Sequence, residues 1–251
     1  MNTVLRGLVL RETDYRDSDR IITLLTAERG RLSASCRRAR RGSSDLKAGT
    51  QLLVCSDFSV YESRGRYTVD AAEPVEQFLG LRKSIEALAL ASYFAELLEC
   101  VTPEETPSGA LLSDALNLLY ALSRSMRPRA QIKAAFELRL AALSGWMPDL
   151  SGCAGCGGEC AEGGWLSVAG GELYCASCFE RSPVPASGAA WLDAGALRAA
   201  RYLIGAPSKR MLAFTLGEES LELLAEASER YLLAQLERGF DTLNFYKTVE
   251  V

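Results

Sequence analysis

Two C-x-x-C pairs, Cys153-Ala154-Gly155-Cys156 and Cys175-Ala176-Ser177-Cys178, stand eighteen residues apart. Their spacing dictates much of what the chain between them can form. Each pair can curl round one cation in a tight knuckle, and the gap has room for a hairpin, expected over Trp165 to Tyr174, that brings the second pair back to the first. Four thiolates suit a tetrahedral Zn²⁺, which keeps its sulfurs deprotonated. Such a site has no open position for water, so the reading is a structural metal that ties down a segment rich in Gly, Cys and Pro. Cys160 falls outside both pairs and is read as a bystander. Gly155 and the Gly157-Gly158 pair are expected to supply the backbone freedom that knuckles need. No histidine occurs anywhere in the chain. Ser-His-Asp triads, Cys-His dyads and every His-ligated metal site are thereby excluded.

The remaining cysteines, Cys36, Cys55 and Cys100, are scattered. No apolar run reaches the ~18 residues of a membrane span, and the start, Met1 to Arg6, lacks a secretory pattern. The expectation is a cytoplasmic protein with reduced thiols and no membrane partner. At 251 residues, the chain reads as two domains, over 1–76 and 77–251, with a zinc-finger insertion at about 151–182.

The first part reads as strands and turns: Val4 to Arg11, a polar turn from Thr13 to Ser18, then Asp19 to Thr26. Glu28-Arg29-Gly30 is the next turn, followed by Arg31 to Cys36. After a basic interruption from Arg37 to Gly49 come Gln51 to Tyr61 and Tyr67 to Pro74, joined by Glu62 to Arg66. Five short strands imply a compact Greek-key barrel of the OB type, and an SH3-like barrel would give much the same pattern. Beyond Pro74 the composition turns to Leu, Ala and Glu. Helical stripes run through Leu112, Ala115, Leu116, Leu119 and Leu122 (capped at Thr106-Pro107), and through Ile132, Phe136, Leu140 and Leu143, entered at Pro128 and ended at Gly145. A third runs through Leu221, Leu224, Tyr231, Leu232 and Gln235. The fold class is α+β multidomain: an N-terminal barrel, then an all-α helical domain carrying the inserted four-cysteine finger.

Between Cys36 and Ser44 four arginines, Arg37, Arg38, Arg40 and Arg41, crowd into five residues where a strand ends. Such charges repel unless a polyanion neutralises them, and arginine forks match phosphate oxygens in pairs. Ser43, Ser44 and Lys47 could add contacts, and Tyr15, Phe58, Tyr61 and Tyr67 are aromatics within reach. The bland alternative is a solvated loop. Net charge is −4, yet residues 1–78 carry 13 basic and 11 acidic side chains, leaving 15 and 21 for the rest. Local field outweighs global charge over a Debye length of ~8–10 Å. A second cluster, Arg124, Arg127, Arg129 and Lys133, straddles Pro128. It reads either as charge complementing a helix end or as a patch for an acidic peptide. Asp14, Asp17, Asp19 and Asp57 could in principle hold Mg²⁺ in a nuclease, but Arg16 and Arg20 flank the first three, and solvated turn residues fit them better.

Three stretches together resemble the bacterial recombination mediator family RecO. They are Asp14 to Thr26 with Glu28-Arg29-Gly30 and the arginine loop ending in Ser43-Ser44; Phe136 to Leu150 running into Cys153-x-x-Cys156-Gly157; and Thr242-Leu243-Asn244-Phe245-Tyr246. The resemblance spans nearly the whole chain in order. It implies an N-terminal OB fold, a helical domain, a four-cysteine zinc site and a non-enzymatic role in RecF-pathway repair. It further implies binding to single- and double-stranded DNA, annealing of complementary strands, and work with RecR that helps RecA replace the single-strand-binding protein. Docking of that protein's acidic C-terminal tail would fall to the Arg124 to Lys133 region. Two features depart from the family pattern: Cys36 stands where a small residue is usual, and the loop is arginine-only where lysines are common. The rival from another class is a zinc-ribbon adaptor whose arginine loop serves an acidic protein partner.

Overall fold

The computed structural model describes residues 2–41 and 46–250. Two compact units divide them, residues 1–124 with 240–251 and residues 125–239. Among the described residues no helix is long and apolar enough to cross a membrane.

In the first unit, β1 (Asn2–Tyr15), β2 (Asp19–Thr26), β3 (Gly30–Cys36), β4 (Cys55–Ser63) and β5 (Arg66–Glu76) close a barrel in the order β1-β2-β3-β5-β4. That order, with β3 and β5 parallel and the other pairs antiparallel, is OB-like. Period-2 alternation drives it: Leu5, Val9, Ile22, Leu24, Phe58 and Val69 point inward and are fully or almost fully buried. Two boundaries differ from the sequence expectation. β1 runs on to Tyr15, which shrinks the first turn to Arg16–Ser18, because the polar Thr13 and Asp14 still pair with Ile21 and Arg20. β4 starts at Cys55 rather than Gln51, because Leu53 takes a left-handed φ of 62° and its N–H donates to the Val9 carbonyl (2.9 Å), making a turn of what reads as strand.

α1 (Leu46–Gly49) lies between β3 and β4. Three helices complete this unit: α2 (Ile85–Val101), α3 (Gly109–Ser123) and α8 (Asp241–Val249). Ser84 caps α2, its hydroxyl accepting from the Ala87 N–H at 3.1 Å. α3 starts two residues later than Thr106-Pro107 proposes, with Ser108 at the cap position.

The second unit holds α4 (Arg129–Leu143), α6 (Ala194–Gly205) and α7 (Glu218–Leu236). With them is a four-stranded sheet of order β6-β8-β7-β9, built from β6 (Asp149–Cys153), β7 (Gly163–Ser167), β8 (Glu172–Tyr174) and β9 (Ala189–Asp193), with α5 (Ala176–Phe179) beside β7. The expected hairpin is β7–β8, with Trp165 opposite Tyr174. β6 and β9 enlarge the excursion beyond a finger alone. Asp193 joins sheet to helix. One carboxylate oxygen accepts from the Ala196 N–H (2.7 Å) and the other from the Ser220 hydroxyl (2.6 Å). Burial pushes this carboxyl up, but those donors and the Gly195 N–H outweigh it and hold it below its ordinary value. Asp193→Ala is expected to lower stability by about 1 kcal/mol or somewhat more in thermal denaturation, as for lost N-caps generally. The wild-type advantage is full above the unfolded carboxylate range and fades as pH falls through the lower folded value.

Candidate nucleic-acid interface and metal centre

The arginine loop leaves β3 as a tethered turn. Ala39 is fully buried and plugs the barrel end beside the equally buried Cys36. Burial pushes the Cys36 thiol up to about 12, against a smaller opposing pull from Arg20, so it packs as a small neutral group. Arg38, at a left-handed φ of 56°, donates its N–H to Asp19 (2.8 Å). The Arg40 N–H reaches the Ser18 carbonyl (3.1 Å), and the Arg41 N–H the Arg38 carbonyl (3.1 Å). With its backbone held and Ala39 turned in, the loop throws Arg37, Arg38, Arg40 and Arg41 outward, all exposed.

Their guanidiniums are not equivalent. Arg40 pairs with Asp14 (Nε to carboxylate, 3.3 Å) and donates to the Arg16 carbonyl. Arg37, Arg38 and Arg41 pair with no carboxylate among the described residues. The basic residues before and after the loop behave differently. Arg29 is held by Glu62 (3.3 Å) and Glu105 (3.1 Å), and Arg31 by Glu104 (3.1 Å). Lys47 is exposed on α1. Ser43, like Ser44, lies outside the described residues.

Of the aromatics, Phe58 is core, and Tyr67 is half-buried with its hydroxyl donating to Glu105. Tyr15 lies 5.1 Å beneath the Arg16 guanidinium, and Tyr61 is 47% exposed. Sequence reasoning missed the company Tyr61 keeps. It lines an open groove of about 590 Å³ with Arg37, Ser63, Arg64, Arg66, Thr68 and Asp70. Glu62 to Arg66 reads in sequence as a mere connection. The available signal was an Arg-Gly-Arg stretch at the turn just beyond a tyrosine near the end of a strand.

Three of the four acids that could have served a nuclease are committed elsewhere. Asp57 is clasped by Arg6 through two bonds of 2.8 Å, Asp14 faces Arg20 and Arg40, and Asp19 caps the loop backbone. The hydrogen bond from Arg6 is the main reason the Asp57 carboxyl sits below its ordinary value.

At the cysteine cluster the four sulfurs of Cys153, Cys156, Cys175 and Cys178 all lie within 4.8 Å of one another, and Cys156 and Cys175 are 4.0 Å apart. A tetrahedral ion with bonds of about 2.3 Å needs sulfurs about 3.8 Å apart, so the residues fit such an ion. Among the described residues this is the only group of three or more His, Cys, Asp or Glu ligand atoms close enough to hold a metal. Burial raises the Cys153 thiol, but the backbone N–H groups of Cys175, Cys156 and Gly155 outweigh it and bring the group down to about 6, as a ligand knuckle requires. Gly155 matters through space rather than through angle. A Cβ there would stand 2.9 Å from the Cys178 Cβ and 3.0 Å from its sulfur, whereas Gly157 carries the positive φ (72°). Cys160 is buried outside the sulfur group, its thiol raised chiefly by burial. Behind the cluster Trp165 stacks on Phe179 (centroids 4.7 Å apart) and leans on Trp191.

The second basic cluster spans the boundary between the two units. Arg124 belongs to the first unit and covers the Tyr120 ring at 5.5 Å; Arg127, Arg129 and Lys133 belong to the second. Lys133 is a correction. It is buried in α4, its ammonium 2.8 Å from both Glu137 and Glu229, and presents no charge to a peptide. Arg127 donates to the Leu212 and Met126 carbonyls yet stays exposed, as does Arg129.

Residues 1–78 match the family model "Recombination protein O N terminal", and residues 82–244 match "Recombination protein O C terminal". Among curated relatives, the DNA repair protein RecO of Acetivibrio thermocellus is 33% identical over 244 residues, covering 97% of this chain and 96% of its own. That of Symbiobacterium thermophilum is 32% identical over 247 residues, covering 97% and 96%. That of Anaeromyxobacter dehalogenans is 34% identical over 231 residues, covering 91% of each.

Proposed function

The chain belongs to the RecO family of DNA repair proteins, and we propose that it serves as a mediator that holds DNA strands by their phosphates rather than as an enzyme. In this reading it binds single- and double-stranded DNA, anneals complementary strands and, with RecR, helps load RecA onto strands covered by single-strand-binding protein. The observation that carries it is the set of three outward guanidiniums, Arg37, Arg38 and Arg41, on a tethered loop, with no carboxylate partner among the described residues. Bringing two strands together costs electrostatic repulsion. Arginines that neutralise phosphates without reading bases lower that cost for any sequence. A tethered loop loses little further freedom on binding, so more of the contact energy appears as affinity.

Zn²⁺ is the ion we assign to Cys153, Cys156, Cys175 and Cys178. When bound it supplies a rigid cross-link and no reactive position. The four side chains then hold β6, β8 and α5 in register. For the acidic tail of the single-strand-binding protein, Arg127 and Arg129 remain as contacts, and Lys133 is withdrawn. A cytoplasmic protein working at the nucleoid is the setting this reading calls for.

The loop is tested by changing Arg37, Arg38, Arg40 and Arg41 together to alanine and titrating a single-stranded oligonucleotide at two salt concentrations. Each lost phosphate contact should flatten the salt slope by about 0.7, so the variant should lose up to about 3 from the slope and on the order of a hundredfold in affinity at low salt. Thermal stability should stay close to wild type, because the side chains are exposed. Unchanged affinity and slope would reject the loop assignment. Binding of an acidic peptide instead of DNA would favour the adaptor reading.

A further inference from the structure

We propose that the groove lined by Arg37, Tyr61, Arg64 and Arg66 is a base-stacking subsite, which lets the protein grip an unpaired strand more tightly than a duplex. The proposal deepens the DNA-binding reading above and rests on it.

The barrel itself makes the groove. β3 and β5 pair only at Ala34–Tyr67 and Ser35–Thr68. Beyond that short contact the end of β3 and the β4–β5 ribbon part, and Arg37 faces the ribbon across the gap. Strand alternation then sorts the ribbon's side chains. Tyr61 and Ser63 of β4, with Arg66, Thr68 and Asp70 of β5, fall on the groove side; Glu62 and Tyr67 fall on the other.

The two sides differ in what their charges are doing. A second groove is lined by Arg29, Arg31, Glu62, Tyr67, Glu104 and Glu105. There Arg29 is held by two glutamates, Arg31 by one, and Glu105 also takes the Tyr67 hydroxyl. An anion entering it would have to break those pairs. On the Tyr61 side, Arg37, Arg64 and Arg66 have no ion-pair partner among the described residues, and Asp70 is the only acid in the lining. Three cations against one anion leave a site that attracts phosphate.

The turn adds a second observation. Arg64 and Gly65 both have positive φ, 52° and 70°, the backbone of a type I′ hairpin turn. Asn or Gly normally occupies the first of these positions, and an arginine there carries a backbone cost. Arg38, in the adjoining loop, carries the same kind of cost at φ 56°. Both places hold a guanidinium at an exposed rim. OB barrels commonly engage oligonucleotides through the turn between strands 4 and 5.

Tyr61 decides which form of DNA the groove prefers. Tyr61 is 47% exposed and lines the groove together with the three arginines. A nucleobase can lie on that ring only if its face is free, and in a duplex both faces are covered by neighbouring pairs. Phosphate contacts from Arg37, Arg64 and Arg66 serve both forms; the stacking contact serves the single strand alone.

The test uses the full chain with a single-stranded oligonucleotide carrying 2-aminopurine and the blunt duplex of the same sequence. Tyr61→Leu should lower single-strand affinity about tenfold, relieve quenching of the 2-aminopurine, and leave duplex affinity within about twofold; Tyr61→Phe should behave as wild type. Arg64→Ala with Arg66→Ala should flatten the single-strand salt slope by about 1.4. Equal losses on both DNA forms in Tyr61→Leu, or no loss on either, would overturn the subsite. So would an acidic peptide whose binding Arg64→Ala/Arg66→Ala abolishes while oligonucleotide affinity holds. Should the loop variant lose DNA and the Tyr61 and Arg64/Arg66 variants not, the DNA-binding reading stands and the subsite falls. A wild-type chain that binds neither DNA form defeats the reading itself.

Discussion

Chelating the Zn²⁺ proposed for the cysteine centre, or changing Cys153 to serine, is expected to melt the β6-β8-β7-β9 sheet while leaving the DNA binding proposed for the arginine loop in place. Apart from its packing against α6 and α7, the sheet has little else to rely on. β6 and β9 are five residues each and β8 only three, and β6 touches β8 through just two register pairs. The buried apolar side chains of these strands amount to little more than Leu150, Leu166, Leu173 and Leu192 with small alanines. Structural Zn²⁺ in comparable sites contributes about 10–16 kcal/mol. That matches or exceeds the roughly 5–15 kcal/mol of net stability a whole domain possesses. Helices α6 and α7 do grip the sheet, through Arg201 to the Leu150 carbonyl and Gln235 to those of Val168 and Ala169. A few hydrogen bonds, each worth about 1 kcal/mol net, do not replace the ion. Two readouts separate the outcomes. Near-ultraviolet circular dichroism should lose the signal of the Trp165–Phe179 stack. Oligonucleotide affinity should change by less than about twofold, since the loop sits in the other compact unit. A sheet signal that survives complete metal removal would refute the structural role.

How legible this was depended on how local each feature is in sequence. The four-cysteine cluster was readable because two knuckles are short and chemically distinctive, and the sulfurs meet as the spacing requires. The barrel strands were readable because one buried face imposes alternation on every strand. The errors came where the pattern breaks, at the Leu53 turn and at the polar but still paired end of β1. β6 and β9 were invisible for a different reason. Asp149-Leu-Ser-Gly-Cys153 has no alternation to see, and Ala189-Ala-Trp-Leu-Asp193 reads as the lead-in to the helix that follows it. The Tyr61 groove showed in sequence only as arginines at a turn near a tyrosine, without the partner that completes it. Arg37 lies more than twenty residues from Tyr61, and only the parting of β3 from β5 brings them face to face. The loop arginines show the same limit in reverse. Their number was obvious, but that Arg40 is neutralised by Asp14 and the other three are not is a fact of packing.

Lys133 marks where charge in sequence says least about position. Replacing it with methionine should destabilise the protein by about 3–5 kcal/mol, the usual cost of leaving a buried charge without its partner. Lys133 and Glu137 look like an ordinary surface i,i+4 pair on α4, a kind worth only a few tenths of a kcal/mol. Here Glu137 is fully buried, and Lys133 is clasped by it and by Glu229 of α7, both at 2.8 Å. The Ser228 hydroxyl donates to the other Glu137 oxygen at 2.8 Å. Burial works against the ammonium, but the two carboxylates prevail and keep Lys133 protonated; burial is also the dominant influence on Glu137 and pushes its carboxyl up. Without the ammonium, Glu137 loses the countercharge that opposes its burial and rises further. A carboxyl whose folded value lies above its unfolded one binds protons in the folded state first. The stability of Lys133→Met should therefore fall as pH rises from the ordinary carboxylate range toward the raised value, and its deficit against wild type should be smaller near pH 5 than near pH 8. Adding Glu137→Leu removes the stranded charge. The double variant should recover at least half the loss, because a buried ion pair and an apolar replacement of similar size are often nearly equivalent. Chemical denaturation of the three proteins at both pH values reads all of this. A single variant as stable as wild type, or a deficit that grows as pH falls, would mean that Lys133 reaches water and that the α4–α7 contact is not closed around it.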